Sequence, residues 1–342
     1  MSISFPTSIF LIDSHTQGEP LRLVVGGLPK IPGDSMVEKT NYLDKKMDYI
    51  RHFVCNEPRG HSGMFGAILT EPCRKEADFG VIYFGHIGYA PMCGHGTIAI
   101  ATILVDMGMV TVKEPLTEFA LDTPAGLVRL RVKVENGKAK SASFINVPAF
   151  LYKEDLTIDV PEYGRVKGDV AYGGMWFFYT DAKGIGVRVR MENIRELIQA
   201  GTAIKTELNK KYEFIHPTNA DAPGELRGVS IIDSPVKHKE AHQNNVQVEG
   251  EFFDRSPCGT ATCGRVASLF AKGKLALNED LINESITGTI FYGRAIEETK
   301  VGDYRAVIPQ ITASACITGF NHLVLDSDDP FGAKGFYVGE KI

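Results

Sequence analysis

Apolar positions in this chain fall into short runs set off by Gly, Pro and charge, and two runs keep a helical period with no polar face. Residues 8–13 and 21–26 read as short strands, with the turn chemistry of His15-Thr16-Gln17-Gly18-Glu19-Pro20 between them. Residues 36–54 place Met36, Leu43, Met47, Ile50 and Val54 at helical spacing with charges between, which predicts one surface helix. A loop rich in Gly, Pro and charge follows, and then strand-like runs at 67–70 and 79–84. Residues 94–107 read as the first buried helix, since Ile98, Ala99, Ala101, Thr102 and Val105 leave almost no polar side. Beyond Gly108 the period changes to two: residues 127–134 alternate, and Asn136-Gly137 predicts a hairpin turn before 142–147. In the second half, residues 188–211 form the one long amphipathic helix, 228–232 and 244–248 read as strands, and 259–272 is the second buried helix, ending at Gly273.

One apolar helix per half among many short strands predicts an α+β fold. Each half would be a curved, mostly antiparallel sheet around its central helix. The expected domains are residues 1–126, joined by C-terminal strands within 320–342, and residues 127–319.

Each buried helix opens on a cysteine. Pro91-Met92-Cys93-Gly94-His95-Gly96-Thr97 and Ser256-Pro257-Cys258-Gly259-Thr260-Ala261-Thr262 are two versions of one device, set apart by nearly half the chain. The positive end of a helix dipole lowers a thiol pKa, and unsatisfied first-turn N–H groups suit a carboxylate. Two such ends could hold one substrate carboxylate and flank its α-carbon with two sulfurs. Stereoinversion uses that arrangement: one thiolate removes a proton from one face while a thiol returns one to the other. Two inert thiols left by a structural duplication would give the same pattern. A protein that binds an amino acid without chemistry, and a redox switch joining Cys93 to Cys258, remain as rival readings.

The chain has 342 residues, 44% apolar and 23% charged, with a net charge of −5. That balance and the lack of a basic run argue against nucleic-acid and membrane partners. The longest apolar stretches fall short of a bilayer span. No Lys or Arg precedes Arg22, so no signal peptide is expected, and six cysteines in such a chain point to reduced thiols in the cytoplasm. Their spacing lacks the pairs of a structural zinc site.

Met92-Cys93-Gly94-His95-Gly96-Thr97 and Asp254-Arg255-Ser256-Pro257-Cys258-Gly259-Thr260 resemble the paired signatures of the proline racemase family. Asp13-Ser14-His15-Thr16-Gln17-Gly18-Glu19-Pro20, Glu57-Pro58-Arg59-Gly60-His61 and Asn283-Glu284-Ser285-Ile286-Thr287-Gly288-Thr289 resemble further family segments, so the likeness covers nearly the whole chain. The resemblance implies two pseudo-symmetric halves similar to diaminopimelate epimerase, with the active site in the cleft between them. It also implies an imino acid substrate, no cofactor or metal, and a homodimer. It makes Cys93 and Cys258 the acid/base pair. Gly94, His95, Gly259 and Thr260 would then bind the carboxylate, with Asp254 and His95 near the substrate nitrogen. A capping or core role is the other reading of His95, and a cap on the Ser256-Pro257 turn that of Asp254. His15, Glu57, Arg59 and His61 would shape the cleft rather than react.

Three activities share the family scaffold. Trans-3-hydroxy-L-proline dehydratases usually carry Thr or Ser at the second Cys position, so Cys258 disfavours that activity. Phe65 bears on the other two. An aromatic residue there resembles the proline racemases, and burying a 4-hydroxyl against it without a partner costs on the order of 1–3 kcal/mol. Proline is the expected substrate and 4-hydroxyproline the alternative, unless Phe65 is plain core.

Overall fold

The computed structural model describes residues 7–220 and 222–338. Residues 1–6 and 339–342, at the two ends of the expected first domain, lie outside that range. The fold is α+β, and the chain divides into two compact units. Pro20–Ala142 forms the first, with the segments that end at Thr16 and begin at Ser314; Gln17–Glu19 and Ser143–Ala313 form the second. The division therefore falls at Ala142/Ser143 and not at 126/127. A cut at 126 would split a hairpin whose strands are hydrogen-bonded from Leu116↔Lys133 to Thr123↔Gly126.

In chain order the first unit contains β1 (Thr7–Thr16), β2 (Glu19–Gly26), α1 (Met36–Lys46), α2 (Tyr49–Cys55), β3 (Phe65–Thr70), β4 (Phe79–Gly85), β5 (Gly88–Ala90), α3 (Gly94–Asp106), β6 (Leu116–Thr123) and β7 (Gly126–Glu135). β1 pairs with β2, β2 with β3 in parallel, β3 antiparallel with β4, and β4 in parallel with β6. In β7 Val128, Leu130, Val132 and Val134 are buried while Arg129, Arg131, Lys133 and Glu135 face out, as the alternation predicts. Asn136 and Gly137 both take positive φ, 56° and 71°, the geometry of a type I′ hairpin turn.

The single surface helix expected over 36–54 is instead two. Met47 leaves helical geometry at φ −139°, and Asp48, gripped by Arg51 through two hydrogen bonds of 2.6 and 2.7 Å, starts the second. The apolar spacing runs unbroken through the kink, so periodicity does not register it. Ile50, Phe53, Val54 and Cys55 of α2 are buried, which makes α2 core rather than surface.

The second unit contains β8 (Lys138–Ile145), which crosses into it, β9 (Ala149–Val160), β10 (Gly164–Tyr172), β11 (Trp176–Asp181), α4 (Ala182–Ile185), α5 (Ile194–Lys211), β12 (Gly228–Asp233), β13 (Gln243–Val248), β14 (Phe253–Asp254), α6 (Gly259–Ala271), β15 (Asp280–Ser285), β16 (Ile290–Val301) and β17 (Tyr304–Ala313). Its pairings close on themselves: β9–β10–β11–β12–β13–β15–β16–β17 and back to β9. α6 packs against β9, β10, β11, β16 and β17, and so is hydrophobic on nearly every side. The amphipathic α5 lies against β9, β12 and β13, with Leu197, Ala200, Ile204 and Leu208 buried. The last strand, β18 (Ala315–Leu325), pairs with β1 in the first unit. No helix among the described residues is long and apolar enough to cross a membrane.

The two units repeat one order of elements. In the first, β4 turns into short antiparallel β5, α3 follows, and β6 returns parallel to β4. In the second, β13 turns into β14, α6 follows, and β15 returns parallel to β13. A cysteine stands at the N-cap of the helix each time.

Candidate active site

Cys93 caps α3 with extended backbone (φ −139°, ψ 116°). Its carbonyl accepts from the Thr97 N–H at 2.9 Å and the Thr97 hydroxyl at 2.7 Å, which locks the first turn. Thr97 Oγ1 is also 2.7 Å from Tyr83 Oη, and burial keeps that phenol neutral far above its ordinary range. Upstream, the Pro91 carbonyl accepts from Ala125 N–H at 3.1 Å. Gly96 leaves room here: a Cβ would sit 3.2 Å from Cys93 Sγ and 3.2 Å from the Tyr83 ring, a tight contact that one of those side chains would have to relieve by a small shift.

His95 is buried. Its Nδ1 lies 3.4 Å from Cys93 Sγ, its carbonyl accepts from Thr16 Oγ1 at 2.7 Å, and its ring meets Phe65 edge-on with centroids 4.7 Å apart. Cys93, Gly94, His95 and Phe65 thus belong to one cluster in the first unit. Arg59 does other work: it reaches the Asp329 carboxylate at 3.1 Å and stacks over Phe53 at 4.6 Å, tying a C-terminal turn to α2. His61 contacts the Ser62 carbonyl at 2.8 Å, and Glu57 forms an isolated bridge with Phe336.

The Cys258 site is more constrained. Cys258 has φ +62°, a region that side chains other than glycine rarely occupy and that costs on the order of 1–3 kcal/mol. Side chains hold it there. Asp254 Oδ1 accepts from Ser256 N–H and Ser256 Oγ at 2.8 Å each, and Ser256 Oγ accepts from Cys258 N–H at 3.1 Å. The Pro257 carbonyl accepts from Thr262 Oγ1 at 3.1 Å and from the amides of Asn245 and Asn283 at 3.4 and 3.5 Å. Asp254 therefore caps the Ser256-Pro257 turn, whatever else it does. Thr260 Oγ1 lies 3.6 Å from Cys258 Sγ.

Sequence reading missed the anchors Asn245 and Asn283. Every residue of β13, Gln243-Asn244-Asn245-Val246-Gln247-Val248, is buried. A strand in which four of six residues are Asn or Gln and that nonetheless lies inside is the signal that marks them, since buried amides must find partners. Gln243 Nε2 donates to Asn283 Oδ1 at 3.0 Å, and Asn244 contributes to a cradle around Glu284, which also accepts from the N–H groups of Val236, Lys237 and His238. Cys263, given no role from sequence, packs: it is buried, its sulfur accepts from Asn146 at 3.3 Å, and burial pushes its thiol up to about 12. None of the six cysteines forms a disulfide.

Electrostatics set Cys258 as a thiol. Burial pushes its pKa well above the ordinary value, and the carboxylates of Asp254 and Glu249 push it further against the opposing N–H of Ala261 and hydroxyl of Thr260. Asp254 is itself raised to about 6, first by burial and then by Glu249, while its bonds from Ser256 and Cys258 pull it down. Glu19 is raised well above its ordinary range by burial and by Asp254, despite accepting from Arg255 N–H at 2.7 Å.

A carboxyl whose pKa rises on folding weakens the fold as it ionises. The native state holds the Asp254 proton up to about 6 and the unfolded chain only up to 3.8. Stability from this group is thus full below the unfolded value and falls as pH climbs from about 4 to about 6. Asp254→Asn keeps an acceptor for Ser256 and cannot ionise. Across that window the urea midpoint of the wild type should therefore fall relative to that of the variant as pH rises. A constant gap between the two would show that Asp254 titrates normally.

With this geometry in place, comparison with known proteins is direct. The family model described as proline racemase matches residues 11–337. A proline racemase from Clostridioides difficile is 47% identical over 329 residues, covering 96% of this chain and 98% of its own. A trans-3-hydroxy-L-proline dehydratase from Burkholderia ambifaria is 41% identical, over 97% and 98% of the two chains. Among solved structures, a hydroxyproline epimerase from Agrobacterium vitis with bound trans-4-hydroxy-L-proline superposes with a TM-score of 0.89 at 30% identity, covering 98% of this chain and 96% of that one.

Proposed function

Since the chain belongs to the proline racemase family, we propose that it is an isomerase that inverts the α-carbon of proline without a cofactor, with Cys93 and Cys258 as its acid/base pair. The observation that carries this reading is the repeated device itself: strand, short antiparallel partner, cysteine at the N-cap, buried helix, parallel return strand. A hydrolase with a nucleophilic thiol needs one such site; inversion needs two.

In this mechanism the first-turn N–H groups at Gly94, His95, Gly259 and Thr260 receive the carboxylate. The thiolate of Cys93, beside His95 Nδ1, takes the α-proton from one face. The electron pair left on carbon delocalises into the carboxylate. Cys258, held as a thiol, gives its proton to the opposite face and becomes the thiolate of the reverse reaction. Asp254 has two tasks: its charge keeps Cys258 protonated in the empty enzyme, and it pairs with the secondary ammonium of the substrate. Pairing offsets the repulsion that Asp254 exerts on a Cys258 thiolate, so substrate binding brings the two thiols closer in acidity, as exchange of roles requires.

Phe65 supports proline over its 4-hydroxy derivative. It is half-buried and fixed edge-on to His95, an apolar wall beside the catalytic cluster. Chiral chromatography of L-proline and trans-4-hydroxy-L-proline incubated in parallel tests the reading. Inversion of proline, at least tenfold faster than of hydroxyproline, is expected. Inversion of hydroxyproline alone keeps the two thiols and removes the role given to Phe65. Inversion of neither overturns the proposal and directs attention to elimination from trans-3-hydroxy-L-proline.

A further inference from the structure

A cavity of about 360 Å³ in the second unit is lined by none of the residues assigned above to the reaction; Arg165, Lys167, Asp169, Asp181, Arg265 and Lys272 are in its wall. Most of this charge is already matched. Lys167 pairs with Asp155 at 2.8 Å, and Lys272 with Asp169 at 2.7 Å. Arg165 and Arg265 have no ion-pair partner among the described residues. For Arg165, an exposed side chain, that is ordinary. For Arg265 it is not: the side chain is largely buried, and burial outweighs the attraction that the carboxylates of Asp169 and Asp181, beyond ion-pair distance, exert on its charge. Its only hydrogen bond among the described residues is from Nε to Gln243 Oε1 at 2.9 Å, which leaves the outer fork of the guanidinium to the cavity. A planar fork of this kind fits a carboxylate through two parallel bonds. Asp169 and Asp181 in the same wall repel a multiply charged anion, so a single negative charge suits the site.

We propose that this cavity binds a small monocarboxylate between Arg265 and Arg165, and that Arg265 relays its occupancy to the Cys258 turn. The relay is a continuous set of side chains. Arg265 donates to Gln243, Gln243 Nε2 donates to Asn283 Oδ1 at 3.0 Å, Asn283 Nδ2 donates to Thr262 Oγ1 at 2.9 Å, and Thr262 Oγ1 donates to the Pro257 carbonyl at 3.1 Å. Pro257 precedes the cysteine held at positive φ. A ligand that draws the guanidinium outward therefore pulls on the amides that hold Cys258 in its strained backbone. Continuity of contacts alone does not establish coupling, so both binding and coupling are measured.

Propionate and inorganic phosphate are titrated calorimetrically into the full-length protein, Arg265→Met and Arg165→Gln, and alkylation of Cys258 by iodoacetamide is followed by mass spectrometry with and without saturating propionate. Propionate should bind the wild type more tightly than phosphate does, at least tenfold more weakly to Arg265→Met, and several-fold more weakly to Arg165→Gln. It should change the Cys258 alkylation rate at least threefold in the wild type and leave it unchanged in Arg265→Met. Affinity that both variants retain places the anion elsewhere, and protection of Cys258 that persists in both identifies the helix start at Cys258 as the binding site; either result overturns the proposal. Tighter binding of phosphate overturns the charge argument. Should Arg265→Met fail to fold, the exposed Arg165→Gln still decides whether propionate binds in the cavity, and Gln243→Leu tests the relay.

Discussion

Serine in place of either Cys93 or Cys258 is expected to lower the turnover for proline inversion by roughly 10³-fold or more, with binding retained. A positioned general acid or base contributes about 10²–10⁴-fold, and in the proposed mechanism each thiol acts as both in turn, once per direction. The serine hydroxyl is far less acidic than a thiol, so neither half-reaction finds an ionised base or an acid matched to the carbon. The folds should survive, because Ser is smaller than Cys and no disulfide is lost. Each sulfur also sits beside a polar group that a hydroxyl can meet, His95 Nδ1 at 3.4 Å or Thr260 Oγ1 at 3.6 Å. Chiral chromatography gives the rate, and calorimetry with L-proline gives the binding. The two variants part company on a substrate with a leaving group at C3. Cys258→Ser retains the base at Cys93 and should still eliminate water slowly from trans-3-hydroxy-L-proline, since elimination needs no proton on the second face. Inversion at wild-type rate in either variant would sink the two-base reading.

The legibility of this protein follows from what each signal depends on. The helices α3 and α6 were visible because a helix buried on all sides writes an unmixed apolar pattern, and β7 because one buried face writes strict alternation. Both are local. The break at Met47 was invisible because apolar spacing continues through it while the backbone does not. The division differs from the limit expected at 126/127 because a change of period marks a new element, whereas a domain is set by pairings that period does not register, here the β6–β7 hairpin and β1 with the distant β18. In the site, the motif residues could be named from the chain, but their anchors could not. Asn245, Asn283 and Thr262 converge on one carbonyl from two strands and a helix. Polar residues in a strand ordinarily mark its solvent face, and only the closed sheet around α6 turns them inward. The state of Cys258 was also out of reach. A helix start lowers a thiol pKa in general, yet burial and the carboxylates of Asp254 and Glu249 outweigh it here.

The second large effect is structural and concerns a glycine that no motif contains. Gly173, in the turn between β10 and β11, lies against the first turns of α6. A Cβ there would fall 2.3 Å from the Thr260 carbonyl oxygen, 2.4 Å from the Gly264 nitrogen and 2.9 Å from the Cys263 Cβ. The first two are backbone atoms, and in an α-helix they are the acceptor and donor of one i→i+4 bond. No rotamer change can relieve that contact. Either the α6 start moves away, carrying Cys258 with it, or the 173–175 turn moves out and loses the bond from Asn146 Nδ2 to the Gly173 carbonyl at 2.9 Å. Overpacking a core typically costs about 1–3 kcal/mol and a lost hydrogen bond about 1 more, so Gly173→Ala should destabilise by roughly 2–4 kcal/mol. The control is Gly184→Ala in α4, an exposed position where a Cβ meets nothing within 4 Å, and its stability should stay within about 0.5 kcal/mol of the wild type. Urea unfolding reads both. Activity separates the two ways the strain can be relieved. If α6 moves, the surviving folded Gly173→Ala protein should invert proline at least tenfold more slowly, because Cys258 and the first-turn N–H groups proposed for the carboxylate shift together from the positions the proposed mechanism needs. If the turn moves, the rate per folded molecule is kept and only the midpoint falls. The closed sheet grips α6 along five strands, and the turn is held by fewer bonds, so displacement of the turn is the expected outcome.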